Sequence, residues 1–73
     1  MKVDIRKKTC LIIVKNGRYL MGKEFWEDCP RWVPSVYDAW RTRDLAEAKK
    51  VGNAVGGTLY LFNPIVAQVR VYG

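Results

Sequence analysis

The spacing of apolar positions changes repeatedly along this chain, and each change predicts an element. Residues 9–15 (TCLIIVK) are β-branched and apolar, and residues 18–24 return after Asn16-Gly17. Asn-Gly between two such runs predicts a β-hairpin closed by a type I′ turn, because both central residues must take positive φ. Residues 25–36 (FWEDCPRWVPSV) mix prolines, tryptophans and both signs of charge. Neither the period of 2 nor that of 3.6 survives there, so the stretch reads as a loop, or a loop with a short extended piece. Residues 37–41 then read as a third strand, with Tyr37, Ala39 and Arg41 on one face and Asp38 and Trp40 on the other.

Residues 44–55 (DLAEAKKVGNAV) carry the helical pattern. Asp44 and Glu47 have capping-box spacing, and Leu45, Ala48, Val51 or Gly52, and Val55 form a narrow apolar stripe. Gly56-Gly57 ends the helix, since a left-handed residue after the last turn is easiest for glycine. Gly52 inside the helix costs about 1 kcal/mol relative to alanine, which points to close packing on the sheet. Residues 58–62 read as a strand with Leu59 and Leu61 on one face and Tyr60 and Phe62 on the other. Asn63-Pro64 marks a turn. Residues 67–72 form the last strand, with Val69 and Val71 inward and Gln68, Arg70 and Tyr72 outward.

The predicted fold is a single α+β domain over residues 1–73, in the order β-β-β-α-β-β. It is a small antiparallel sheet of four to five strands with one helix packed on one face. One helix cannot cover both faces of such a sheet. Tyr19, Tyr60, Phe62 and Tyr72 are the candidates for the second face, which predicts a homo-oligomer, a dimer or larger, joined through them.

At 73 residues, with 49% hydrophobic and 27% charged positions, the chain has ordinary globular composition. A domain this short buries only about 60% of its unfolded surface, which adds to the case for oligomerisation. Basic residues precede the apolar run at residues 11–14, but that run is too short for a signal peptide. No stretch approaches the roughly 20 apolar residues that cross a bilayer. The expectation is a cytoplasmic protein with no membrane partner and with Cys10 and Cys29 reduced, although pairing of the two thiols stays open.

Catalytic equipment is sparse. The chain has no histidine and two cysteines, so it cannot complete a four-ligand zinc site and lacks the commonest general base. Cys10, in an apolar strand, is expected to be inert, and Cys29 lies among Glu27, Asp28 and Arg31 with no bias towards thiolate. Glu24, Glu27 and Asp28 read as a solvated patch before they read as an acid–base pair or a metal site. Gly56-Gly57 follows a helix, so it is a cap and no phosphate cradle. The expectation is a non-enzymatic protein without cofactor or metal.

Binding equipment is richer. Thirteen Lys and Arg against seven Asp and Glu give a net charge of +6, which draws in acidic partners of any kind. Lys23, Trp26, Arg31, Trp32, Tyr37, Arg41 and Arg43 are the candidate ligand-binding residues. Cations among large aromatics suit phosphates with stacked bases, and the same residue types mark protein–protein hot spots. Trp40 is assigned to the core, whereas Trp26 and Trp32 fit core and contact roles equally. Arg41 and Arg43 flank the helix start, where the dipole disfavours cations. An anion site there and a solvated pair fit equally well.

The run RW…YDAWRTRDLAEAKKV, then GG, then LYLFNPIVAQVR resembles small proteins carried by phages and prophages of gut Firmicutes. The matching residues are Trp32, Tyr37, Asp38, Ala39, Trp40, Arg43, Gly56, Gly57, Phe62, Asn63 and Pro64. The resemblance implies a setting and carries over no catalytic residue. In that setting the expectation is a phage-encoded binding protein that antagonises host antiviral defence. It would capture an anionic component, either a nucleotide signal or a nucleic-acid-binding effector protein. The alternatives are a nucleic-acid-binding accessory protein and a purely protein-directed inhibitor.

Overall fold

The computed structural model describes residues 9–21 and 30–72. Lys23, Trp26 and Cys29 lie outside the described residues, as do Glu24, Glu27 and Asp28. The chain is α+β, with one five-stranded antiparallel sheet and one helix. Strands β1 (Cys10–Lys15), β2 (Arg18–Met21) and β3 (Arg31–Val33) precede helix α1 (Leu45–Val55), and β4 (Thr58–Asn63) and β5 (Gln68–Val71) follow it. The sheet order is β3-β2-β1-β4-β5, so the most apolar strand takes the central place.

Asn16 and Gly17 have φ of 52° and 75°, which makes the β1–β2 hairpin turn the one the Asn-Gly signal predicts. Register then assigns the two faces. Leu11 opposite Leu61 and Ile13 opposite Leu59 share the helix-bearing face. Cys10 opposite Phe62 and Ile12 opposite Tyr60 share the second face.

Helix α1 buries Ala48, Val51, Gly52 and Val55. Val51 and Val55 pack with Ile13 and Leu20, and Trp32 and Trp40 close the cluster from the side. Full burial of Ile13, Leu20 and Val51 contributes about 1.5–3 kcal/mol each. The close approach inferred at Gly52 is present, since a Cβ there would lie 2.8 Å from Leu59 Cδ1. The helix stops at Gly56, which has φ of 70°.

Three local expectations are corrected. The third strand is Arg31–Val33, paired with Tyr19, Leu20 and Met21, while Val36–Asp38 forms one turn of 3₁₀ helix. Pro34 and Ser35 cause the break, with the Ser35 hydroxyl accepting the Tyr37 N–H at 3.3 Å. The second correction concerns the last strand. Val71 lies opposite Tyr60 on the second face but is 57% exposed, so it does not point into a core.

The third correction concerns the second face itself. Tyr19, Tyr60 and Phe62 do share it, but Tyr72 donates its N–H to Leu59 O and sits on the helix-bearing face. Phe62 is fully buried, packed with Cys10, Ile12 and Ala39, so it belongs to the core of this chain and offers nothing to a partner. The chain covers much of that face with residues 36–41, which include the 37–41 stretch whose alternation predicts a strand.

Candidate anion-binding cleft

Residues 39–44 pass from the second face to the helix-bearing face through a gap in the sheet. Only Val14 and Lys15 of β1 pair in register with β2. Further along, Trp40 N–H donates to Leu20 O at 2.7 Å, and Leu11 and Thr42 exchange backbone hydrogen bonds. Residues 40–42 thus fill the space between the splayed ends of β1 and β2, and the backbone groups of Leu11, Leu20, Trp40 and Thr42 that meet there are hydrogen-bonded. Ala39 packs into the second-face core while Trp40 reaches the helix-side core.

This inserted segment carries both arginines, and it holds the side chain of Arg41 in place. Arg41 lies over the Phe62 ring, its Cζ 5.0 Å from the centroid, and donates through Nη2 to Tyr37 O at 3.0 Å. Tyr37 meets the same ring edge-on, with centroids 5.7 Å apart and planes at 82°. Arg43 is exposed, and no hydrogen bond or ion pair ties it to another described residue.

Thr42 between them anchors the helix start. Its hydroxyl accepts the Asp44 N–H at 3.1 Å and donates to Glu47 Oε2 at 3.3 Å. Asp44 accepts the N–H groups of Ala46 and Glu47 at 3.0 and 3.2 Å. The helix amides are therefore occupied by the chain's own carboxylate. An anion here would be held by the arginine side chains, and the helix terminus adds no free donors from Ala46 or Glu47.

Two adjoining hollows sit around these residues. One, of about 440 Å³, is lined by Thr9, Leu11, Leu45, Leu61, Tyr72 and, at its border, Cys10 and Arg43. The other, of about 320 Å³, shares Cys10 and Arg43 and adds Arg41, Thr42 and Pro64. They meet at Cys10 and Arg43, so the cleft joins an apolar hollow walled by Tyr72 on the helix-bearing face to a cationic one beside Arg41 on the second face. No Asp or Glu lines either hollow among the described residues. The size suits a small ligand, since such pockets begin at about 300 Å³.

Cys10 borders both hollows but is buried, and its thiol donates to Phe62 O at 3.4 Å. Burial pushes the thiol above its ordinary value, with Arg41 and Arg43 pulling weakly the other way. Burial and the raised value both disfavour the thiolate, the form that reacts. The described residues contain no cluster of His, Cys, Asp or Glu able to hold a metal ion. No described helix is long and apolar enough to cross a membrane.

The predicted binding residues do not form one site. Arg41 and Arg43 reach the cleft, and Tyr37 stands beside Arg41 on the second face. Arg31 is exposed on β3, at the opposite side of the sheet from β5. Trp32 is half-buried against the helix-side core and lines a separate hollow of about 340 Å³ with Lys15, Asn16 and Arg18. There Lys15 Nζ lies 5.9 Å from the Trp32 ring centroid, so the chain's own cation already occupies that face.

Tyr72, which strand alternation assigns to the second face, is a wall of the cleft. The strand period could have found it only once the register of β5 was known.

No family model, curated protein or solved structure matches this chain.

Proposed function

We propose that this chain is a non-enzymatic binding protein that captures a small anionic ligand in the Arg41–Arg43 cleft. The observation that carries the reading is Arg43, an exposed guanidinium with no partner among the described residues, at the rim of an apolar hollow walled by Tyr72. A guanidinium suits a phosphate, and an aromatic wall beside leucines suits a planar base. That combination favours a nucleotide over a simple inorganic anion. With the phage-like sequence pattern, it supports a phage-encoded protein that sequesters a nucleotide signal of host defence.

Nucleic-acid binding is the second reading, favoured by the separate hollow that brings Lys15, Arg18 and Trp32 together. Short strands would then bridge both basic clusters, with affinity falling steeply as salt rises.

Calorimetric titration with a panel of linear and cyclic nucleotides and short DNA and RNA separates the two. For nucleotide capture, Arg43→Ala should weaken binding tenfold or more, about 1.4 kcal/mol, while Arg31→Ala and Trp32→Ala leave it unchanged. Binding that survives Arg43→Ala but is lost in Trp32→Ala would move the site to the Lys15 side. No binding to any member of the panel would remove both readings and leave a protein-directed inhibitor.

A further inference from the structure

We propose that the outer edge of β5, which pairs with no strand among the described residues, pairs antiparallel with β5 of a second copy, centred on Val71, and joins two clefts across the two-fold axis. Of the five exposed large hydrophobic side chains among the described residues, Ile65, Val66, Val71 and Tyr72 belong to β5 or its flanks. Val71 is 57% and Tyr72 40% exposed.

Backbone geometry shows which groups face that edge. Tyr72 N–H points to β4, where it meets Leu59 O at 3.0 Å. Donor directions alternate along a strand, so the N–H and C=O groups of Val69 and Val71 face outward at the outer edge. Natural edges are usually blunted by lysine, proline or a bulge. The run Gln68-Val69-Arg70-Val71 has none of the two residue types, and its one charge projects from the helix-bearing face, opposite Leu61.

A two-fold axis perpendicular to the sheet allows few registers. Centring on Arg70 would set two guanidiniums face to face, which is destabilising. Centring on Val69 would require Ala67 to extend opposite Val71, but Ala67 is left-handed with φ of 51°. Centring on Val71 pairs Val71 with itself through two backbone hydrogen bonds. It also places Arg70 of each copy opposite Tyr72 of the other, on the face where Tyr72 walls the cleft. A cation there can lie against the ring, and the partner's Arg70 becomes a further basic group at the cleft rim.

The strand pairing stands without a ligand, whereas the composite cleft rests on the anion-binding reading. The test uses the full chain. Sedimentation at about 100 μM, a concentration suited to a weak strand-edge interface, should give twice the chain mass of 8.4 kDa. Val71→Lys should halve that mass, and at a dilution where both proteins are monomeric it should leave the thermal midpoint followed by circular dichroism unchanged, since the side chain is exposed.

Val71→Cys gives a second readout. Hydrogen-bonded antiparallel partners have Cα atoms about 5.5 Å apart, within disulfide range, so this variant should cross-link to itself on mild oxidation. Lys49→Cys, on the exposed side of α1, should not. A monomeric wild type, a Val71→Lys protein that stays dimeric, or equal cross-linking at both positions would each overturn the pairing. A monomer that still binds nucleotide through Arg43 would overturn the pairing and leave the cleft reading standing. A dimer that binds no nucleotide would support the pairing and remove only the composite cleft.

Discussion

Leu11 and Thr42 exchange two backbone hydrogen bonds, Leu11 N–H to Thr42 O at 2.7 Å and Thr42 N–H to Leu11 O at 3.1 Å. This pair ties the central strand to the residue between the two cleft arginines. It converts a connection into part of the sheet, and the helix start inherits its position.

The Thr42 hydroxyl should matter more than its half-exposed position suggests. It meets the Asp44 N–H and the Glu47 carboxylate together, and valine has the same shape with neither ability. Thr42→Val should lower stability by about 1–2 kcal/mol in urea unfolding. Thr42→Ser should recover most of the loss, because the bonds and not the methyl carry it. Equal losses in both variants would show that packing dominates.

Two glycines separate helix propensity from packing. Alanine at Gly52 gains helix propensity of about 1 kcal/mol and meets the end of the Leu59 side chain, which can turn away. Alanine at Gly57 would drive its Cβ into Ile13 Cγ2, a β-branched atom of the central strand, with Trp32 Cη2 at 3.3 Å behind it. Gly52→Ala should change stability by no more than about 1 kcal/mol. Gly57→Ala should cost about 2–3 kcal/mol in the same unfolding assay.

Much of this fold was legible because the decisive signals are local. Asn16-Gly17 demands its turn, Asp44 caps its helix, and Gly56 ends it, whatever surrounds them. The third strand was legible only in part: residues 25–36 admit a short extended piece, but Arg31-Trp32-Val33 is too short to show a period and becomes a strand by pairing with β2. Residues 37–41 misled for the opposite reason. Their alternation is real, with Ala39 and Arg41 on the second face, but it serves a wedge through the sheet. The site was half legible: Arg41 and Arg43 stood out by their place beside the helix. Tyr72 did not, because its face depends on a register that only the folded sheet sets.

Ala67 holds a left-handed conformation, φ 51°, at the end of the β4–β5 turn. A Cβ is disfavoured there by about 1–2 kcal/mol, while glycine's greater unfolded freedom offsets part of the relief. Ala67→Gly should therefore stabilise the chain by about 0.5–1 kcal/mol, raising the urea midpoint with the slope unchanged. An alanine-to-glycine change that stabilises is unusual enough to report this backbone directly.

Cys10 offers a check on the central strand through pH. Its thiol is buried and held above the ordinary cysteine value of about 8.5, so the folded state favours the neutral form. A raised folded value means the contribution is complete below the unfolded pKa and is lost as pH climbs from there through the folded one. Stability should fall with alkaline pH more steeply in the parent than in Cys10→Ala, which lacks the group. The comparison of slopes cancels the lysines and tyrosines that titrate in both. In a Cys29→Ser background Cys10 is the sole thiol, and its reaction with an aromatic disulfide reagent should wait for opening of the sheet. Reaction at the rate of a free peptide thiol in the native protein would show that the wedge at Thr42 does not seal β1.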